Sequence, residues 1–235
     1  MIQYSVSMNR AAIFVVVPCY DEESAVGTTL GKLLSHGYSV VAVDDGSRDN
    51  SWQVIRSLAV HAIRHPINLG QGAALQTGMI HALSQGAAVI VHFDADGQHA
   101  VEQIEDLVRP ILSGEADVVL GSRFLRRADA QLVPPLKAIL LKAGIVVNGV
   151  ATGIWLHDSH NGFRALSARA AADIHLRESS FAHATEILSE LRRARLRHQE
   201  CPVTISYSDY ARAKGQPMRN ALNIFIDICL RKLFR

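Results

Sequence analysis

Four short strand-like runs in the first 120 residues each end in a polar turn, and this repeat limits the fold more than any other feature. Residues 13–17 lead into Pro18-Cys19-Tyr20-Asp21-Glu22, and residues 40–43 into Asp44-Asp45-Gly46-Ser47. Residues 61–64 lead to Asn68-Leu69-Gly70-Gln71-Gly72, and residues 87–93 end in Asp94-Ala95-Asp96. Between them the spacing predicts helices over about 23–35, 50–59, 72–84 and 100–112, the second capped by Asp49 or Asn50, and a further strand over 117–120. Continuous β-branched runs alternating with amphipathic helices predict an α/β fold, Rossmann-like, with a mostly parallel sheet flanked by helices. Such sheets bind ligands at the carboxyl ends of their strands. The turns at 20–22, 44–45, 68 and 94–96 are therefore expected to meet on one rim.

Composition narrows the classes further. The chain has 235 residues, 49% hydrophobic and 20% charged, enough to bury a sizeable core, which excludes disordered, collagen-like and small disulfide-stapled classes. A net charge of +2 supports no nucleic-acid footprint. The charge is uneven, with −7 in residues 1–118 and +9 in residues 119–235. The acidic half suits a metal; the basic half suits phosphates or an anionic membrane. Cys19, Cys201 and Cys229 are scattered and odd in number, so a reducing, cytoplasmic compartment is expected. The first ten residues hold no apolar core of the kind a secretion signal needs.

Residues 133–155 are long and apolar, opened by Pro134-Pro135, but include Lys137, Lys142 and three glycines. Amphipathic helices on a membrane surface or against the domain are expected there, in preference to a membrane-spanning helix. In residues 218–235, Asn220, Asn223, Asp227 and Arg231 form a narrow polar stripe opposite a wide apolar face. That pattern predicts a C-terminal amphipathic helix over 216–235, against the core, a membrane surface or a second copy.

The acidic turns carry the chemistry. Asp94 and Asp96 repel one another unless a cation lies between them or one is protonated. Hard oxygen ligands in an open turn suit Mg²⁺ or Mn²⁺, with Gln98 as a third oxygen. Asp44 and Asp45 suit a ribose or a base N–H, or a helix-cap arrangement with Ser47 and Asp49. Residues 70–75 nearly match the dinucleotide fingerprint, but Leu75 replaces its third glycine and the third strand precedes it, which excludes a nicotinamide site. There is no P-loop and no G-x-S-x-G elbow. The eleven histidines form no zinc spacing; His92 and His99 flank the acidic turn as neighbours.

These residues resemble family 2 glycosyltransferases with the GT-A fold, nearest to the dolichyl- or polyprenyl-phosphate mannose synthase-like subgroup. The matching segments are residues 17–23, 43–47, 68–72, 94–99, Gly121-Ser122-Arg123-Phe124 and 158–164, in the family's order. The resemblance implies a GT-A domain over 1–215, with a nucleotide- and metal-binding half (12–120) and an acceptor-side half (121–215). It implies that Pro18, Tyr20, Glu22, Asp44, Asp45, Gly72 and Asp94 hold the nucleotide sugar, UDP- or GDP-linked. Asp94, Asp96 and Gln98 would hold the metal; Arg123, Arg164, Arg212 and Lys214 would meet phosphates of donor or acceptor. Residues 158–164 would shape the sugar pocket, although Asn161-Gly162 is also a good turn. The chain departs from the family at Asp21, where Asn is common, and at Gln71, where a basic residue is common.

The implied reaction is an inverting, metal-dependent transfer, with Asp96, Arg123 and Glu186 as catalytic candidates. A polyprenyl phosphate acceptor would need no general base; a saccharide hydroxyl would, and Glu186 is its candidate, with a helix-surface role as the alternative. Peripheral contact with the inner face of the membrane is expected with the lipid acceptor, and oligomeric state, a homo-oligomer included, stays open. A sugar nucleotidyltransferase would carry a Gly/Arg/Lys-rich loop after the first strand, where Pro18-Cys19-Tyr20-Asp21 stands. A non-catalytic nucleotide-binding module would not need all four of Asp44, Asp45, Asp94 and Asp96.

Overall fold

The computed structural model describes residues 9–133, 135–178 and 183–206. Arg212, Lys214 and the expected helix over 216–235 lie outside the described residues. The elements run β1 (Ile13–Cys19), α1 (Val26–Ser35), β2 (Ser39–Asp44), α2 (Ser51–Arg56), β3 (His61–Arg64), α3 (Gln71–Ser84) and β4 (Val89–His92). They continue as α4 (Ile104–Leu112), β5 (Val118–Ser122), α5 (Arg127–Leu132), α6 (Pro135–Thr152), β6 (Arg164–Ser167), α7 (Ala168–Asp173), α8 (His183–Arg193) and β7 (His198–Pro202).

The strands form one sheet in the order β3-β2-β1-β4-β6-β5-β7. β6 runs antiparallel to both β4 and β5, while the other pairings between these strands are parallel. Alternate side chains of β1 feed two cores, as strand geometry requires. Ile13, Val15 and Val17 pack with Leu30, Leu33, Ile55, Ile104 and Leu107, from α1, α2 and α4. Phe14 and Val16 pack with Leu75, Met79, Ala170, Ile187 and Leu191, from α3, α7 and α8. The result is a helix–sheet–helix sandwich with β1 and β4 covered on both faces.

The helices expected near 23–35 and 50–59 are present but shorter. α1 begins at Val26, after a turn in which the Ala25 and Val26 N–H groups donate to the Glu22 carbonyl. The N–H groups of Asp21, Glu22 and Glu23 donate to the side chains of Ser47, Ser51 and Asp49. Asn50 stands at the cap of α2 without a side-chain cap bond; Asp49 instead accepts from the Ser51 N–H at 2.9 Å. The apolar stretch 133–155 becomes α6 and the start of the following loop. Among the described residues, no helix is long and apolar enough to cross a membrane.

Candidate active site

Strand register decides what meets at the rim. Cys19 lies opposite Asp44, Asp44 opposite Arg64, and Arg164 opposite both His92 and Leu120. The carboxyl ends of the parallel strands therefore share an edge with the first residue of the antiparallel β6. Pro18 is buried in β1 and Tyr20 is half-buried just beyond it. Asp21 adopts φ 53°, a left-handed conformation that Asp and Asn accept more readily than other side chains. Its carboxylate accepts from the Arg48 N–H at 2.7 Å, which stitches the first turn to the second.

The paired aspartates after β2 divide their work. Asp45 Oδ1 accepts from the Leu69 N–H at 2.9 Å and Oδ2 from the Gly70 N–H at 2.7 Å, while His65 Nδ1 lies 2.7 Å from Oδ1. Asp45 thus shapes the 68–72 turn. Gly72 is buried in the first turn of α3, the helix that this turn opens. Asp44 is fully buried; Arg64 Nε lies 2.9 Å from its Oδ2, an ion pair without an aligned hydrogen bond.

The 94–96 turn sits against the first. Asp96 Oδ1 and Oδ2 accept from the backbone N–H and side-chain amide of Gln98, at 3.0 and 2.7 Å. Burial, then the neighbouring Asp94 charge, pushes the Asp96 carboxyl up to about 6, and Glu22 adds in the same direction. The turn after β1 lies beside this one because β1 and β4 pair directly, with Val16 opposite His92 and the Phe93 N–H donating to the Val16 carbonyl. Asp94 Oδ1 accepts from Gln71 Nε2 at 3.1 Å, so the neutral amide standing where a basic residue was expected still reaches the carboxylate. Asp94 Oδ2 lies 2.9 Å from His99 Nε2, whose ring is packed between Phe93 and Phe163. Thr29 of α1 donates to the carbonyl of Ala95 at 3.0 Å and anchors the turn from below.

The loop 158–163 closes the other side. A Cβ on Gly162 would stand 2.7 Å from Asp94 Oδ2, so only glycine lets this backbone approach the carboxylate so closely. Arg123, at the end of β5, makes a bidentate pair with Asp158: Nε to Oδ2 at 2.6 Å and Nη2 to Oδ1 at 2.8 Å. Arg164 is buried, and Nη1 has no hydrogen-bond partner among the described residues. Burial lowers its guanidinium to about 10, against the attraction of Asp94 and Asp158. Burial likewise lowers His160 to about 4.

Two carboxylates are a small donor set. Among the described residues no group of three His, Cys, Asp or Glu side chains could hold a metal. The pair nevertheless fits a divalent cation: close enough to raise Asp96, with oxygen donors of the hardness Mg²⁺ and Mn²⁺ prefer. A cation held by two carboxylates and Gln98 leaves coordination positions for a substrate's oxygens.

Of the residues expected to act together, Glu22, Asp94, Asp96, Gln98 and Arg164 are brought to one place. Glu186 is occupied elsewhere: its carboxylate accepts from the backbone N–H groups of Arg177 and Glu178 at 2.9–3.0 Å. Cys19 is inert, its thiol pushed up to about 12 by burial. The sequence reading left His99 as a neighbour and did not single out Thr29. His99's spacing, five residues beyond Asp94, was the available signal; nothing in the sequence pointed to Thr29.

The family model described as Glycosyl transferase family 2 matches residues 14–174. The chain belongs to that family. It is similar to an uncharacterized protein of Methanocaldococcus jannaschii, 32% identical over 97% of this chain and 95% of that one. It is similar also to a UDP-N-acetylglucosamine–dolichyl-phosphate N-acetylglucosaminyltransferase of Methanococcus voltae, 29% identical over 94% and 96% of the two chains. An undecaprenyl-phosphate mannosyltransferase of Micrococcus luteus is 29% identical over 86% of each. In fold it matches a glucosyl-3-phosphoglycerate synthase of Mycobacterium tuberculosis, solved with Mn²⁺ and UDP, with TM-score 0.66, 17% identity and coverage of 94% and 80%. The protein is thus a family 2 glycosyltransferase with a GT-A fold.

Proposed function

We propose that this glycosyltransferase moves a sugar from a nucleotide-diphosphate donor to a polyprenyl phosphate, with inversion at the anomeric carbon. The observation that supports it most is that the turns after β1 and β4, which carry Glu22, Asp94 and Asp96, share one sheet edge with buried Arg164, and that the Gly162 backbone closes on Asp94 there. Relatives named for polyprenyl or dolichyl phosphate acceptors support the choice of acceptor.

In this reading Pro18, Tyr20, Glu22 and Asp44 line the base and ribose side, and Asp45 and Gly72 act through the 68–72 turn. Asp94 and Asp96, with Gln98, would hold Mg²⁺ or Mn²⁺, which when bound neutralises charge on the departing diphosphate. Arg164, buried with Nη1 unpartnered among the described residues, is proposed to supply fixed positive charge on the acceptor side of the rim, and Arg123, its charge compensated by Asp158, to hold the loop that carries it. Arg212 and Lys214 are proposed to meet phosphate as well. A lipid phosphate is mostly dianionic at pH 7, with a second pKa of about 6, so it attacks without a base. The existing bonds of Glu186 to the 177–178 backbone agree with that economy.

The test is a screen of UDP- and GDP-sugars with Mg²⁺ or Mn²⁺, with and without polyprenyl phosphate, scored by lipid-linked product. Product that requires both the lipid and the cation is expected. Glu186→Gln should keep most of the turnover; a loss on the order of 10²-fold would assign the chemistry to a hydroxyl acceptor instead.

A further inference from the structure

His99 is an unusual residue to bury where it stands. Its side chain is only 4% exposed, and its ring centre lies 5.3 Å from that of Phe93 and 4.8 Å from that of Phe163. The two phenyl rings also meet each other, edge to face at 5.3 Å. The backbone here is fixed by a bridge between His99 and Ile205 and by the Ser206 N–H, which donates to the Gln98 carbonyl at 2.9 Å. An apolar side chain would satisfy such a pocket. An imidazole leaves Nδ1 buried without a hydrogen-bond partner among the described residues, an arrangement that costs free energy. The other nitrogen faces the acidic turn, with Nε2 2.9 Å from Asp94 Oδ2. An ionised carboxylate only accepts, so the hydrogen belongs on Nε2 and the lone pair on Nδ1. The reverse tautomer would set a lone pair against the carboxylate and aim an N–H at nothing that accepts it. Packing alone gives no reason for an imidazole here; the bond to Asp94 does.

We propose that His99 is the positioning residue of Asp94 and holds that carboxylate in place as a ready ligand for the divalent cation, an assignment that rests on the cation reading above. Asp94 is gripped from three directions. His99 donates to Oδ2, Gln71 donates to Oδ1 at 3.1 Å, and the Gly162 backbone lies so close that a Cβ there would stand 2.7 and 3.0 Å from the two oxygens. Donors on both oxygens fix the plane of the carboxylate. Each carboxylate oxygen has two lone pairs, so a donor and a cation can share it. The Asp94 side chain is 31% exposed, which leaves it within reach of an ion. Asp96 is held differently, by Gln98 of its own turn. Asp94 is thus anchored to the rest of the fold and Asp96 to its neighbour. The rings that orient His99 come from two sides of the rim, Phe93 just after β4 and Phe163 just before β6. The same packing therefore ties the cation side to the 158–163 wall. Groups that orient a metal-binding side chain in this way cost about 10- to 100-fold in metal affinity when removed.

The test titrates the full chain with Mn²⁺ alone and follows the electron paramagnetic resonance signal of the free ion; the binding that Asp96→Asn removes is the binding scored. His99→Leu keeps an apolar filling and should weaken that binding by about 10- to 100-fold with unchanged circular dichroism. His99→Gln, whose amide nitrogen can stand where Nε2 stands, should return it to near the parent value. His99→Asn, whose amide nitrogen stands at the Nδ1 position, should not. Nitrogen NMR of the parent chain, with the His99 signals identified by their loss in His99→Gln, should show a proton-bearing Nε2 and a bare Nδ1. The opposite tautomer would overturn the proposal whatever the variants do. Parent-like Mn²⁺ affinity in His99→Leu, or His99→Gln no better than His99→Leu, would overturn it as well. In those cases the cation reading stands and only the assignment of His99 falls. Absence of Asp96-dependent Mn²⁺ binding in the parent chain would instead remove the cation reading and this assignment together.

Discussion

Asp96 couples the proposed cation site to the stability of the fold. Its carboxyl, raised to about 6 in the folded chain, starts from an ordinary value of 3.8. The folded state therefore holds more protons than the unfolded state between those values, and folding loses stability as pH rises through them. Asp96→Asn should abolish cation-dependent turnover and also raise Tm at pH 7.5 by a few degrees, on the order of 1–2 kcal/mol. That gain should shrink as the medium is acidified below pH 6, and calorimetry at pH 7.5 and 5 measures both signs. A Tm lowered at both pH values would show that Asp96 is held by attraction, not penalised by burial. The carboxylates themselves were legible, because a strand end followed by two acids is a local pattern. The division of labour between Asp44 and Asp45 was not. It depends on Leu69 and Gly70 offering their N–H groups from 24 and 25 residues away.

Among the elements, the parallel half of the sheet was readable and the antiparallel insertion was not. β1, β2 and β4 are runs of valine and isoleucine with acids at their ends. β6 is only Arg164-Ala165-Leu166-Ser167, too short and too mixed to announce a strand, and its direction follows from the pairing with both β4 and β5. The loop before it is fixed by the Arg123–Asp158 pair, in which both side chains are almost wholly buried. Removing one partner of such a pair leaves the other charge stranded, at a cost of about 3–5 kcal/mol. Asp158→Ala should lower stability by roughly that amount and reduce turnover, whereas the paired change Arg123→Met/Asp158→Leu should regain stability without activity. Urea titration of the three proteins checks this; equal stability of the single and double variants would refute it. α6 was legible as a helix but not in its orientation. Its apolar length was plain, but which of its faces meets the protein depends on Asn148 finding Ser159 and Thr185 across the fold.

Across the whole molecule, two cores clamp the sheet from opposite sides, so protection should be graded by position. Native-state hydrogen exchange should find the amides of β1 and β4 opening only with global unfolding, and those of edge strand β3 opening more easily. Faster exchange in β1 than in β3 would contradict a sheet stabilised from its centre. The charge asymmetry along the chain maps onto this layout: the acids gather at the ends of β1, β2 and β4, and Arg123 and Arg164 come from the strands beyond them. β6 begins at the rim where its neighbours finish, so the wall formed by residues 158–163 is rooted in sheet hydrogen bonds at Arg164 and in the guanidinium of Arg123. If the sugar of the donor is held against this wall, as proposed, it meets a surface already set, and its binding costs little ordering entropy.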